Sequence, residues 1–337
     1  MNPFVLLGAL GLCGLVLAQP AAAAAGFAEG LRLCAGSVLP ALFPFFVVCE
    51  LAACSPAARR VAARLGAPLR LLGLQSDAAP MILLLSLLGG YAVCAATVRR
   101  LRGQLCDREA ALLTILGCCA GPGFTVGCVG GLLLGSVRLG LLLYGAQLAA
   151  NLLCAAAVVP FLPPSGSAGF SGQSSLSPVS LPQAIGRGVD SCLNVCGCVV
   201  FFRMAGAVLH WGALGSALLE VSAGCAAFAA LGGRAALFGC CFCISVLGLS
   251  VWAQLALLLD GCVRLGPLLI SRALHCTVYP LLVWLCLRVS PGTAAVFSSL
   301  QGRVIPAARL APDAAVITAA FLCAALYNGG KKFYNKQ

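Results

Sequence analysis

The amino-acid sequence predicts an all-α protein that crosses a lipid bilayer several times. Of its 337 residues, 61% are hydrophobic and 9% are charged, and the mean hydropathy is +1.04. Soluble domains carry about 25% charged residues, so a bilayer is the predicted environment of this chain. Two apolar stretches that are interrupted in the same way add a finer prediction. We expect two inverted repeats, each with a re-entrant hairpin and a broken transmembrane helix, giving about eight spans and two hairpins.

A break inside an apolar stretch is the feature that repeats. In Leu112–Leu153 the run Gly121-Pro122-Gly123 interrupts the first apolar segment. In Phe238–Leu285 the run Leu247–Ser250 falls at the corresponding place, and the turn sequence Val-Arg-Leu-Gly follows both breaks. Backbone groups freed at membrane depth must be met by other protein or by water, so each break indicates a helix that faces a cavity. The alternative is a kink packed against a neighbouring helix.

Charge and cysteine content argue against several functions. The net charge is +12 and comes mostly from arginine, without runs that alternate basic and aromatic residues, so no nucleic-acid partner is expected. The 21 cysteines lie mainly in apolar runs, with two histidines and no zinc-ribbon spacing. They are therefore predicted to be packing residues, and neither a metal nor another cofactor is expected. No catalytic triad, phosphate-binding loop or HExxH motif is present, so the chain is not expected to be an enzyme.

The first half contains two predicted helices and the first hairpin. Phe4–Ala25 is expected to be a retained helix rather than a signal peptide, because no Lys or Arg precedes it. Gly30–Cys54 is the second helix. Ala78–Val98 lies between two arginine clusters of cytoplasmic character, which predicts a re-entrant hairpin that turns at Gly89-Gly90. The alternative is a plain span with one misplaced basic loop. The broken segment and its partner follow at 110–134 and 138–161.

The second half is predicted to repeat this order. Pro163–Pro182 is rich in Pro, Ser and Gly and is expected to be a flexible linker. Gly186–His210 is the helix that corresponds to the second helix of the first half. Trp211–Leu231 is the second hairpin by symmetry, with its tip at Ser222–Gly224. After the second broken segment and its partner, the last predicted helix spans 313–327, and the tail is basic.

The chain is accordingly divided into five parts. Residues 1–26 are an N-terminal transmembrane helix, and residues 27–162 are the first repeat. A linker at 163–186 leads to the second repeat at 187–290. Residues 291–337 are a loop with the C-terminal helix and basic tail. If each hairpin leaves the membrane on the side from which it entered, both termini lie in the cytoplasm. The two Val-Arg-Leu-Gly turns then lie on opposite sides of the membrane.

Polar side chains inside the apolar segments are the candidate site residues. Arg203 lies within a span, where a charge costs about 2.5–3.5 kcal/mol on insertion scales. It is expected either to bind an anion, together with half-helix N-termini, or to pair with Glu50 or Glu220. Both glutamates are candidates for carrying a coupling proton or cation, with an interfacial position as the alternative for Glu50. Ser250 and Gln254, one turn apart, are expected to bind a polar solute or to hold helices together. The candidate substrate-binding residues are Gly89, Gly90, Gly121, Pro122, Gly123, Arg203, Glu220, Ser222, Gly224, Ser250 and Gln254.

Several short motifs in this order resemble the YlbJ family of sporulation integral membrane proteins, which carry the nucleoside-recognition or Gate domain. The likeness covers roughly residues 27–290. The motifs are Leu39–Phe46, Leu88–Val93 with Arg99–Leu101, Gly121–Phe124, Leu219–Val221 with Gly224, and Gly248–Gln254. The resemblance implies a fold similar to that of concentrative nucleoside transporters. It also implies a role in endospore formation, where the family is linked to moving dipicolinate into the developing spore.

These observations together predict a multi-pass transporter-like protein of the cell membrane. Its expected partners are the lipid bilayer and a small polar or anionic organic solute, with dipicolinate as the leading candidate by resemblance. A nucleoside-type carrier is the alternative within transport. A non-transporting assembly or regulatory protein of the membrane is the alternative outside it. The sequence leaves open whether the chain forms a homo-oligomer.

Overall fold

The computed structural model describes residues 3–162 and 179–289, and every regular element within them is a helix. Helices account for 86% of the structure, which confirms the all-α prediction. By length and composition, five helical segments could cross a membrane, or up to seven if each bent pair counts as one span. Two of the five, Ala79–Arg100 and Gly233–Leu259, contain the interruptions described below. The predicted last helix at 313–327, the basic tail and most of the linker lie outside the described residues. The count of eight spans stays a prediction.

The N-terminal helices meet at Gln19, earlier than the sequence predicted. Helix α1 (Pro3–Ala18) and helix α2 (Pro20–Leu33) are bent by 105° at this residue. Gln19 has a non-helical backbone, and Pro20 takes the first helical position that proline favours, so the break falls here rather than near Ala25. A π-helical turn, Cys34–Val38, leads from α2 into helix α3 (Leu39–Ala53), which continues the same helical path.

Two short helices and a hairpin follow. Helix α4 (Pro56–Ala62) leaves α3 at 90°, and helix α5 (Gly66–Leu71) precedes helix α6 (Ala79–Arg100). Helix α6 has a non-helical residue, Gly90, at φ 80° and ψ −167°.

The two arms of α6 lie side by side. A Cβ atom on Gly117 would be 2.7 Å from the Cβ atom of Ser86 and 2.8 Å from the Sγ atom of Cys94. These two side chains are therefore within about 6 Å of each other, whereas residues eight apart in a straight helix are separated by about 12 Å. The chain thus reverses at Gly90, at the position where the sequence predicted the turn.

The first broken helix and its partner come next. Helix α7 (Asp107–Gly117) ends before the non-helical run 118–121, and the chain continues through Pro122, which has helical φ and ψ, into an 11-residue π-helix, Gly123–Leu133. Helix α8 (Val137–Val158) begins at a cap in which Ser136 Oγ accepts a hydrogen bond from the backbone N–H of Leu139. The break therefore lies just before the predicted Gly-Pro-Gly run and shares only Gly121 with it, because proline readily takes the first position of a helix.

The second half begins with a long helix and a second hairpin. Helix α9 (Leu181–Leu209) has 29 residues, and the short helices α10 (Ala213–Leu219) and α11 (Val221–Ala229) follow it. Between α10 and α11, Glu220 is extended, at φ −148°. A Cβ atom on Gly224 would be 2.4 Å from Cα of Ala217, so the two arms lie against each other. The turn is at Glu220, before the predicted tip Ser222–Gly224, because the acidic side chain caps α11.

The second broken helix consists of helix α12 (Gly233–Val246) and helix α13 (Gly248–Leu259). They are separated by Leu247, whose φ of 70° lies in the left-handed region. Helix α14 (Gly266–Val289) ends the described chain and packs against α8, α7 and α12. The order of hairpin, broken helix and unbroken helix therefore occurs twice.

Ion pairs gather several helix ends at one end of the molecule. Glu50 at the end of α3 pairs with Arg187 at the start of α9, at 2.8 Å, and with Arg100 at the end of α6, at 3.6 Å. Arg99 pairs at 2.7 Å with Asp260, which follows α13. We call this region the arginine-rich end; it contains Arg99, Arg100, Arg102, Arg108 and Arg187.

Candidate functional site

A cavity of about 160 Å³ lies where the two hairpins meet. Helices from both halves of the chain contribute to its wall, which is mostly apolar. The residues from the tips and the first break are Leu88, Gly89, Gly90, Tyr91, Ala92, Gly121, Gly123, Phe124, Glu220, Val221 and Ser222. The remaining lining residues are Leu33, Val38, Leu42, Phe45, Cys128, Val195 and Val199. The cavity therefore lies at the point that both hairpin tips and the first break share.

The tip of the first hairpin packs against the first break, and only glycine fits there. Gly90 has a φ of 80°, and a Cβ atom on it would be 2.8 Å from the backbone nitrogen of Gly121. Side chains are strained at such a φ, and this contact leaves no room for one. The wall of the cavity at this point consequently consists of backbone atoms.

The second hairpin meets the second break in a similar way. Gly248 has a φ of 68°, and a Cβ atom on it would be 3.1 Å from the carbonyl oxygen of Ala217 and 3.2 Å from the backbone nitrogen of Glu220. The first turn of α13 therefore lies directly against the tip of the second hairpin. Each hairpin tip thus touches the break of the broken helix that follows it in the chain.

Glu220 is the acidic residue that lines this cavity. Its residue is 2% exposed, and its oxygens accept hydrogen bonds from Ser222 N at 3.0 Å, Ser222 Oγ at 2.6 Å and Ala223 N at 2.6 Å. Arg203 Nε is 3.6 Å from Oε2 of the same carboxylate, while Arg203 Nη2 is 3.3 Å from Oε1 of Glu29. These donors stabilise a negative charge that burial would otherwise disfavour.

The structure brings about half of the predicted site residues to the cavity. Six of them line it: Gly89, Gly90, Gly121, Gly123, Glu220 and Ser222. Arg203 is outside the lining and reaches Glu220 from behind. Gly224 packs one turn into α11, against Ala217. Pro122 follows the first break, between the lining residues Gly121 and Gly123.

The other predicted polar residues are engaged elsewhere. Gln254 Nε2 donates a hydrogen bond to Ser250 Oγ at 3.1 Å, and both side chains are buried in α13 away from the cavity lining. This hydrogen bond lies within α13 and joins no second helix, so both predicted roles of the pair stay predictions. Glu50 lies at the arginine-rich end and pairs with Arg187 and Arg100, so Arg203 pairs with Glu220 rather than with Glu50.

Three buried polar residues that meet beside the first break were not among the sequence-based candidates. Arg272 on α14 is 2% exposed, and Gln147 and Asn151 on α8 are 0% and 1% exposed. The signal for Arg272 was a charge inside an apolar span. The signal for the two amides was their spacing of four residues, which places both on one face of an apolar helix.

Comparison with family models, with curated proteins and with solved structures finds no match to this chain. Among the described residues, no group of three His, Cys, Asp or Glu side chains is placed to hold a metal ion. The composition, the apolar helices and their lengths define the class, which is a helical multi-pass membrane protein.

Proposed function

We propose that this protein is a membrane carrier that binds a small organic solute in the cavity between its two hairpin tips. The observation that supports this most directly is that both tips, the first break and the buried Glu220 share one cavity. Discontinuous helices that meet at a site near the bilayer midplane are typical of secondary transporters. A scaffold gains nothing from two breaks that expose backbone groups at membrane depth.

We further propose that the two halves are inverted repeats. The first hairpin begins and ends near the arginine-rich end, since Arg99 at its second arm pairs with Asp260 beyond α13. Helix α9 starts at that end, through Arg187, and its 29 residues extend about 43 Å, so the second hairpin enters from the opposite end. The positive-inside rule then assigns the arginine-rich end to the cytoplasm.

The cavity favours a solute built on a single small ring. An engineered cavity of about 150 Å³ holds benzene, so 160 Å³ accommodates one ring with a few polar atoms. A nucleoside adds a ribose to its base and requires a wider cavity. Dipicolinate has the appropriate size, and the resemblance to the YlbJ family favours it and a role in endospore formation. Arg203 is 3.6 Å from the Glu220 carboxylate and 3.3 Å from that of Glu29, so it balances part of the negative charge that an anion would meet in the cavity.

Binding to the purified protein tests this proposal. Dipicolinate and uridine are titrated separately into detergent-solubilised protein, and uptake is measured after reconstitution into liposomes. We expect dipicolinate to bind and to be transported. Val199→Phe fills the cavity wall and should abolish binding, whereas Val137→Phe, at a position that is 57% exposed, should not change it. Binding of neither solute would favour the non-transporting assembly protein, and binding of uridine alone would favour the nucleoside carrier.

A further inference from the structure

Arg272 is a buried cation without a carboxylate partner among residues 3–162 and 179–289. It lies within α14 and is 2% exposed. Its Nη2 donates a hydrogen bond to Oδ1 of Asn151 at 2.5 Å, while Nε and Nη1 are buried without a protein acceptor. An uncompensated charge in a membrane interior is strongly disfavoured, so some negative charge must balance this guanidinium.

The end of α7 supplies that negative charge. Asn151, which binds Arg272, also donates its Nδ2 to the carbonyl oxygen of Leu116 at 3.2 Å. Gln147 donates its Nε2 to the carbonyl oxygen of Ala120 at 3.0 Å. These carbonyls lie in the last turn of α7 and in the break that follows it, where carbonyl groups without a helical partner give a helix a partial negative charge.

The second break is organised differently. The carbonyl oxygen of Val246 accepts a hydrogen bond from Nε1 of Trp252 at 3.0 Å. Ser245, one turn from the break, is bonded to Nδ1 of His275 at 2.8 Å. No arginine is buried at this break in the part of the chain that the structure describes. The internal cation therefore belongs to the first break alone.

We propose that Arg272 provides a fixed positive charge at the first break. It takes the place of a bound alkali cation that would otherwise balance the partial negative charge at the end of α7. In transporters, unwound carbonyls and half-helix C-terminal ends coordinate the coupling cation. Here a tethered guanidinium balances the same kind of charge through Asn151, so the first break binds no alkali cation. Any coupling ion then binds elsewhere, and its binding site is the buried Glu220 of the second hairpin. The coupling consequence rests on the carrier function proposed above, but the charge compensation does not.

Chemical rescue of Arg272→Ala tests the compensation without any transported solute. Melting temperatures of the purified protein are measured in detergent with millimolar guanidinium, sodium or choline as chloride salts, and with urea as a neutral analogue of guanidinium. Guanidinium should raise the melting temperature of the variant by several degrees and leave that of the wild type unchanged. Sodium should also stabilise the variant, since Gln147 Oε1 is without a partner and Asn151 Oδ1 becomes free. Choline and urea should not raise the melting temperature of the variant. If neither guanidinium nor sodium raises it, the proposal is overturned.

A second pair of variants covers the case in which Arg272→Ala does not fold. Arg272→Lys keeps the charge, and Arg272→Met keeps most of the volume. The proposal predicts a higher melting temperature for the lysine variant, and the reverse order would overturn it. Replacing chloride by gluconate gives a third comparison. If chloride stabilises the wild type but not Arg272→Met, a bound anion compensates the guanidinium, and the proposal is wrong. None of these results depends on whether the cavity binds dipicolinate.

Discussion

The two halves of the molecule use the same order of elements but build their turns and breaks from different chemistry. The first hairpin turns on glycines, and the amide side chains of Gln147 and Asn151 bind the carbonyls of the first break. The second hairpin turns on Glu220, which carries the carboxylate of the cavity. The comparison indicates that the first half supplies a rigid backbone surface, whereas the second half supplies the ionisable group.

The extent of each break explains part of this difference. The first break covers residues 118–121 and is followed by a π-helix, so several backbone groups lack their usual helical partners. The second break is the single residue Leu247, and the helix resumes at Gly248. A longer break inside an apolar region needs more donors from neighbouring helices. Helix α8 provides two amide donors for the first break, whereas Trp252 on α13 provides one donor for the last carbonyl of α12 at the second.

The largest effect is expected at the glycine turn of the first hairpin. Gly90→Ala adds a Cβ atom 2.8 Å from the backbone nitrogen of Gly121 at a φ of 80°. Strain and overpacking together should cost about 4 kcal/mol, enough to lower the yield of folded protein sharply. A thiol-reactive dye that reports exposure of buried cysteines measures the melting temperature. Gly145→Ala on α8 is the matched control, because nothing lies within 4 Å of the added Cβ atom. Equal stability of the two variants would contradict the backbone contact between tip and break.

A smaller but still large effect is expected at the charged turn of the second hairpin. Glu220→Ala removes the cap of α11 and leaves the half-buried Arg203 with only the exposed Glu29 as its partner. The melting temperature should fall by an amount that corresponds to about 3 kcal/mol, and solute binding should be lost. Asp260→Asn is the control, because the side chains of Asp260 and its partner Arg99 are 68% and 52% exposed, and such pairs contribute about 1 kcal/mol or less. If Asp260→Asn is the more harmful change, the assignment of the buried charge to the cavity is wrong.

The features that the sequence could predict are those with local causes. Hydropathy identifies apolar helices, and glycine or proline inside an apolar run marks a break, so the turn falls at Gly90 as expected, while the first break, at 118–121, lies just before the Gly-Pro-Gly run that predicted it. The second turn is displaced to Glu220, because an acidic cap is recognised only once the start of α11 is known. The Arg272 site requires that α14 packs against α7 and α8, and such long-range pairing is not encoded in any local pattern.

The amide side chains at the first break should have an intermediate effect. Asn151→Leu leaves the carbonyl oxygen of Leu116 without its donor and Nη2 of Arg272 without its acceptor. Unsatisfied buried groups of this kind cost about 1–3 kcal/mol, so we expect a loss near 2 kcal/mol by the same dye assay. Asn194→Leu on α9 is the control, because Asn194 is exposed and leucine is favourable next to lipid. If Asn151→Leu leaves the melting temperature unchanged, the first break needs no hydrogen-bond donor from α8.

The smallest effect is expected at the second break, where Trp252 of α13 binds the last carbonyl of α12. Trp252→Phe removes the hydrogen bond from Nε1 to the carbonyl oxygen of Val246 and keeps most of the aromatic ring. One hydrogen bond contributes about 1 kcal/mol, so the melting temperature should fall by a few degrees at most. Trp211→Phe, at a residue that is 51% exposed, should change it less. If Trp252→Phe instead destabilises the protein more than Asn151→Leu, the second break depends on side-chain donors more than the first. The division between a rigid first half and an ionisable second half would then have to be abandoned.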